Sequence, residues 1–242
     1  MPPIVLLAGD PNRTKWIAKN FLDEPVCVAD HRQMFGYRGF FKNIPIGVQT
    51  TGMGGPSTAI ICEELKMLGA RFLIRVGTCG GLDRRQREGD VFFVTSACMM
   101  DGTSRELFAA QSSGTGIVNG FAPTSDFEFL HAAISNAQAK SVRYHVGTVA
   151  TVDRFYGHGR DTFEKLASFG ILAVEMEAST VLTFAALNGM RAAAMMVISD
   201  NALDGTRADD EIIENGVRHM VDVALCAAIH VSSIDSDNRG KI

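Results

Sequence analysis

The chain has 242 residues, 46% of them hydrophobic, and a formal net charge of −4, so it can bury the core of one large α/β domain or two small ones. The mildly acidic balance excludes the basic surface expected of a nucleic-acid binder. Five scattered cysteines without a CxxC pair argue against a disulfide framework or zinc site, and the longest apolar run, Ala192 to Ile198, is far short of the roughly 20 residues a bilayer demands.

In chain order, Pro2-Pro3-Ile4-Val5-Leu6-Leu7 lacks a basic n-region and breaks at Gly9-Asp10, which predicts a cytoplasmic protein with a first strand over Ile4 to Ala8. A turn at Gly9-Asp10-Pro11 leads into a helix reaching Phe21. Phe40 to Gln49 reads as hairpin-like strands, and Pro56 to Leu68 carries helical apolar spacing at Ile60, Ile61 and Leu65. Phe72 to Val76 and Asp90 to Ala97 read as buried strands. Asp101 to Thr124, with Ser112-Ser113-Gly114-Thr115-Gly116, reads as a long surface excursion. Helices are predicted over Phe127 to Ala139, Asp161 to Phe169, Ala178 to Leu187 and Asp209 to His230. Strands are predicted over Val142 to Val152, Ile171 to Val174 and Ala192 to Ser199. This alternation predicts a single-domain, three-layer α/β/α fold over residues 1–231, with a central mixed, mainly parallel twisted sheet. A loose polar tail is expected over 232–242.

Three glycine-containing turns are expected after strands: Gly9-Asp10-Pro11-Asn12-Arg13, Gly52-Met53-Gly54-Gly55-Pro56-Ser57 and Arg75-Val76-Gly77-Thr78-Cys79-Gly80-Gly81. Ligands of open α/β sheets sit beyond strand carboxyl ends, where glycine lets backbone N–H groups approach an anion. Arg75 follows the apolar Phe72-Leu73-Ile74, where an unpaired guanidinium is costly, so it calls for an anionic partner. With Arg13 and the Thr78 hydroxyl it points to an oxyanion or phosphate site. Neither GxGxxG nor GxxxxGKS/T occurs, which disfavours dinucleotides and nucleoside triphosphates.

Val174-Glu175-Met176-Glu177-Ala178-Ser179 sets two carboxylates between apolar runs. Desolvating a carboxylate costs several kcal/mol, so these acids either cap the next helix or face a polar ligand. Asp200, in Ser199-Asp200-Asn201, either faces the same crevice or caps the following element. Phe155-Tyr156 is core or a stacking surface for a planar ligand. His158 and His219 are expected at the surface.

Four blocks in order, Gly9-Asp10-Pro11-x-Arg13, Arg75-Val76-Gly77-Thr78-Cys79-Gly80, Val174-Glu175-Met176-Glu177 and Ser199-Asp200, resemble the nucleoside phosphorylase superfamily. The likeness runs from about Val5 to Val231, to the branch holding bacterial hexameric purine nucleoside phosphorylases and uridine phosphorylases. It implies reversible phosphorolysis of purine (deoxy)ribonucleosides to free base and (deoxy)ribose 1-phosphate, with phosphate as co-substrate and no cofactor. By the resemblance, Gly9, Arg13, Arg75 and Thr78 bind phosphate, and Arg32 joins them from a neighbouring subunit across a dimer interface. Glu177 takes the ribose hydroxyls, with Met53 and Met176 against the sugar. Phe155 stacks on the base, Val174, Glu175 and Ser199 line its pocket, and Asp200 protonates a purine. It also implies a homo-oligomer, a hexamer built as a trimer of dimers, with no nucleic-acid, membrane or metal partner.

The pattern departs in three places. No histidine precedes Ile4 to reach a neighbour's 5′-hydroxyl, and no arginine beyond Asp200 aligns clearly, Arg207 being the candidate. Asp101-Gly102-Thr103-Ser104 and Leu107 look closer to the uridine-cleaving branch, although only Arg160 stands near the place of that branch's uracil-gripping residues. Uridine phosphorylase and 5′-methylthioadenosine phosphorylase are therefore the alternatives.

Overall fold

The computed structural model describes residues 1–113 and 121–239. Gly114-Thr115-Gly116 of the expected excursion lie outside the described residues. The strands are β1 (Ile4–Ala8), β2 (Asp23–Ala29), β3 (Gly36–Phe41), β4 (Ile44–Thr50), β5 (Phe72–Gly81), β6 (Val91–Met99), β7 (Tyr144–Thr151), β8 (Ile171–Glu175), β9 (Arg191–Asn201) and β10 (Thr206–Arg207). The helices are α1 (Pro11–Phe21), α2 (Gly55–Met67), α3 (Gly102–Ser112), α4 (Phe127–Ala139), α5 (Arg160–Ser168), α6 (Ala178–Leu187) and α7 (Asp210–Arg239).

Strand β1 explains the layering. It is apolar throughout because both of its faces are covered. Ile4, Leu6 and Ala8 pack in one core with residues of α1, α4 and α7, while Val5 and Leu7 pack in another with α2 and α6. Helix starts follow local chemistry. Asp10 caps α1 by accepting from the Asn12 N–H at 2.8 Å, with Pro11 in the first turn, and Asp126 caps α4 through the Phe129 N–H at 2.9 Å.

The sheet is mixed. Strands β4, β1, β5 and β9 run parallel, as do β6, β7 and β8; β2–β3–β4, β6–β9, β5–β8 and β9–β10 pair antiparallel. Strand β5 pairs with β9 from Phe72 to Gly81, and its last residues also pair with β8, Gly80 opposite Val174 and Gly81 opposite Ala173. Strands β5, β9, β6, β7 and β8 thus close into a ring.

That closure corrects the expected turn at Gly77 to Gly81, which is strand. Glycine serves close packing here: a Cβ on Gly80 would stand 3.0 Å from Asp200 Oδ2 and 3.3 Å from Val174 Cγ1, and one on Gly77 would stand 2.8 Å from the Arg75 guanidinium. Part of the expected excursion is helix α3, started by the Asp101 cap on the Ser104 N–H at 2.7 Å. Helix α7 continues past His230 to Arg239, so the loose tail expected from residue 232 is helical up to Arg239, because Val217 to Arg239 contains neither Gly nor Pro. Strand β2 was not anticipated; all seven of its residues are exposed at the sheet edge, which erases the inside–outside alternation that marks strands. No helix of the described residues is long and apolar enough to cross a membrane.

Candidate active site

The carboxyl ends of β1, β4, β5, β7, β8 and β9 converge on one cavity of about 760 Å³. At its base lies Arg75, only 4% exposed, between two buried carboxylates. Its Nε donates to Glu175 Oε2 at 3.0 Å, and its Nη2 pairs with Glu177 Oε2. Burial opposes the charge on Arg75, but Glu177 and Glu175 outweigh it and hold the guanidinium above its ordinary value. Arg13 lies close by. Burial holds its guanidinium below its ordinary value, Asp10 works against that, and Arg75 adds like-charge repulsion. The two guanidinium groups lie with Gly9 and Thr78 along the cavity, donors of the kind that can hold an anion.

The two glutamates behave differently. Glu177 starts α6, and its Oε1 accepts the Gly54 N–H, so it borders the cavity between Arg75 and the Gly52-Met53-Gly54 turn. Glu175 also borders the cavity, yet protein donors use both its oxygens. Thr151 Oγ1 donates to Oε1, and the Glu177 and Ala178 N–H groups, each at 2.8 Å, join Arg75 Nε on Oε2. Burial pushes the Glu175 carboxyl above its ordinary range, with Arg75 opposing. This arrangement engages the Glu175 carboxylate with Arg75 and the start of α6.

Asp200, which also lines the cavity, lies near the end of β9, its Oδ1 accepting from Ser199 Oγ at 2.6 Å. Ser199 Oγ also lies 3.2 Å from the Cys79 carbonyl. The neighbouring Cys79 thiol is pushed well above its ordinary value by burial, then by Glu175 and Asp200, which removes it as a nucleophile. Met53, Met176 and Val174 line the cavity, as does exposed Phe155, whose ring has that of Tyr156 edge-on with centroids 4.9 Å apart.

All the site residues expected from sequence border this cavity except Arg32. Arg32 sits on an exposed 3-10 turn, His31–Gln33, with a left-handed φ of 53°. Four further lining residues, Arg154, His158, Phe163 and Asn201, have no site role assigned from the sequence. His158, expected at the surface, is half-buried against the Arg154 carbonyl at 2.9 Å. Arg207 also lines the cavity, as the β10 residue paired with Asp200.

The cavity therefore gathers Arg13, Arg75, Glu177 and Asp200 on a sheet closed by β5. The chain belongs to the phosphorylase superfamily, whose family model matches residues 3–232. Among its relatives, the purine nucleoside phosphorylase DeoD-type of Bacillus cereus is 37% identical over 226 residues, covering 93% of each chain. The proteins of the same name from Brevibacillus brevis and Bacillus thuringiensis are 38% and 36% identical over the same share of both chains.

Proposed function

We propose that the chain is a purine nucleoside phosphorylase that converts purine (deoxy)ribonucleosides and phosphate reversibly into free base and (deoxy)ribose 1-phosphate. The observation that carries the reading is Arg13 and Arg75 gathered with Glu177 in one cavity that Asp200 also lines. The distribution suits a sugar placed between a nucleophile and a departing base.

In this reading Gly9, Arg13, Arg75 and Thr78 bind phosphate, and Arg32 completes the anion site from a neighbouring subunit of a homo-oligomer in the cytoplasm. Glu177 accepts from the ribose hydroxyls while Met53 and Met176 pack on the sugar. Phe155, Val174 and Ser199 flank the base. A phosphate oxygen forms a bond to C1′ as the glycosidic C–N bond breaks through an oxocarbenium-like state. The electron pair leaves on the purine, and a proton from Asp200 to N7 neutralises it. Arginine donors aimed at the dianion and a fixed sugar supply orientation and electrostatic stabilisation. Phosphate is a co-substrate; the scheme calls for no cofactor.

The test is a panel of inosine, guanosine, adenosine, 5′-methylthioadenosine and uridine, each with and without phosphate. Phosphate-dependent release of a purine with ribose 1-phosphate is expected. Preferential cleavage of uridine with inosine untouched overturns the purine assignment, and cleavage without phosphate overturns phosphorolysis.

A further inference from the structure

We propose that Thr151 is a positioning residue for the anion site: its hydroxyl fixes the Glu175 carboxylate, and Glu175 fixes the plane of the Arg75 guanidinium. The proposal rests on the reading of that site as the phosphate site. Thr151 ends β7 and is wholly buried. Its Oγ1 accepts the Ser179 N–H at 2.9 Å, so its single proton is directed to Glu175 Oε1. The other carboxylate oxygen accepts Arg75 Nε at 3.0 Å, and Arg75 Nη2 then reaches Glu177. The Glu175 carboxylate thus accepts from the Thr151 hydroxyl on one oxygen and from the guanidinium that lines the cavity on the other.

The arrangement is anchored from behind. Ser179 Oγ donates to Asp101 Oδ1 at 2.5 Å, while Asp101 Oδ2 accepts the Ser104 N–H at 2.7 Å. With the Ser179 proton spent on Asp101, Ser104 Oγ, 2.6 Å away, must donate to Ser179. Asp101, Ser104, Ser179 and Thr151 are all 0% exposed. Buried polar networks fully satisfied in this way rigidify what they hold. Strand pairing alone does not require the hydroxyl: Thr151 and Glu175 are already register partners in the parallel β7–β8 ladder. What the Thr151 side chain adds is a donor on Oε1, beside the Glu177 and Ala178 N–H groups and Arg75 that hold Oε2.

The test compares Thr151→Val, which keeps the branched shape and removes the donor, with Thr151→Ser, which keeps the donor. Phosphate is varied at saturating purine nucleoside, and thermal melting reports folding. Val is expected to raise the phosphate KM about tenfold, well beyond its effect on the nucleoside KM, as loss of a hydrogen bond to a charged group implies. Ser is expected to stay within about twofold of wild type. A folded Val variant with wild-type phosphate KM overturns the proposal, as does a Ser variant no better than Val. Should Val fail to fold, Thr151→Ala takes its place with the same criteria. Failure of both while Ser folds makes the hydroxyl a folding requirement and also overturns it. A wild-type chain that neither binds inorganic phosphate in calorimetry nor needs it for cleavage sinks the phosphorylase reading instead.

Discussion

Replacing Arg75 by methionine tests the electrostatic core of the site through stability. The guanidinium is 4% exposed, and its two partners, Glu175 and Glu177, are 1% and 6% exposed. Methionine approximates the stem but leaves two buried carboxylates without their cation. Breaking a buried pair from one side costs about 3–5 kcal/mol. For a chain of 242 residues each kcal/mol moves the melting midpoint by roughly 2–4 °C, so a fall of about 6–20 °C is expected near neutral pH. The loss must depend on pH. Burial already raises the Glu175 carboxyl above its ordinary 4.5, and Arg75 is the largest influence in the other direction. Without Arg75 the folded state holds the Glu175 proton more tightly than the unfolded chain does. Stability is then favoured below the unfolded value and lost as pH rises through the raised folded value. The gap between variant and wild type should therefore narrow from about pH 8 toward about pH 5. Calorimetric melts of both proteins at one chain concentration across that range measure it. A gap under about 2 °C near neutrality, or one unchanged by pH, would refute the picture of Arg75 as the cation neutralising a buried carboxylate pair.

Asp200→Asn keeps the shape but has no transferable proton, so inosine cleavage should fall by roughly two orders of magnitude, while 7-methylguanosine, already positive at its imidazole ring, is largely spared; equal losses on both substrates would reduce Asp200 to a structural residue. Mixing inactive Arg32→Ala with inactive Glu177→Ala subunits should restore part of the activity if Arg32 crosses an interface. A fully active monomer in analytical ultracentrifugation rules that out. Asp126→Ala is the control for stability without chemistry. It removes the α4 cap and the two 2.7 Å contacts with Arg191, and should cost about 1–2 kcal/mol in urea titrations with kcat/KM of the folded enzyme unchanged.

The elements legible in the sequence are those whose signals are local. Ile4–Ala8, Phe127–Ala139 and Ala178–Leu187 have the same bounds in the structure as in the sequence reading, since each is an apolar or periodic run with a clear start. Glycine was misleading in β5, where Gly77 and Gly80 serve close side-chain approach inside a strand and not a turn. Edge strand β2 had no buried face to write into its sequence. Within the site, the residue types pointed to an oxyanion site for Arg13 and Arg75, while the joining of Glu177 and Asp200 to them came from the family resemblance, since each acid taken alone could equally be a cap. The division of labour between Glu175 and Glu177 was not legible, because it depends on Thr151, distant in sequence and chemically unremarkable. His158 likewise enters the cavity only through the path of the loop after β7.

The ring of β5, β9, β6, β7 and β8 also constrains when the site can come into being. Its seam joins Phe72–Gly81 to Arg191–Asn201, stretches separated by nearly half of the chain, so closure carries the loop entropy of the whole intervening sequence. Until β9 docks, β5 and β6 each present an open edge, and Asp200 has not yet reached its place beside Gly80. Native secondary structure on the β1–β4 side can form earlier, from contacts short in sequence. Catalytic competence is then a late event of folding, which exposes partly synthesised chains to edge-to-edge association just before the pocket exists.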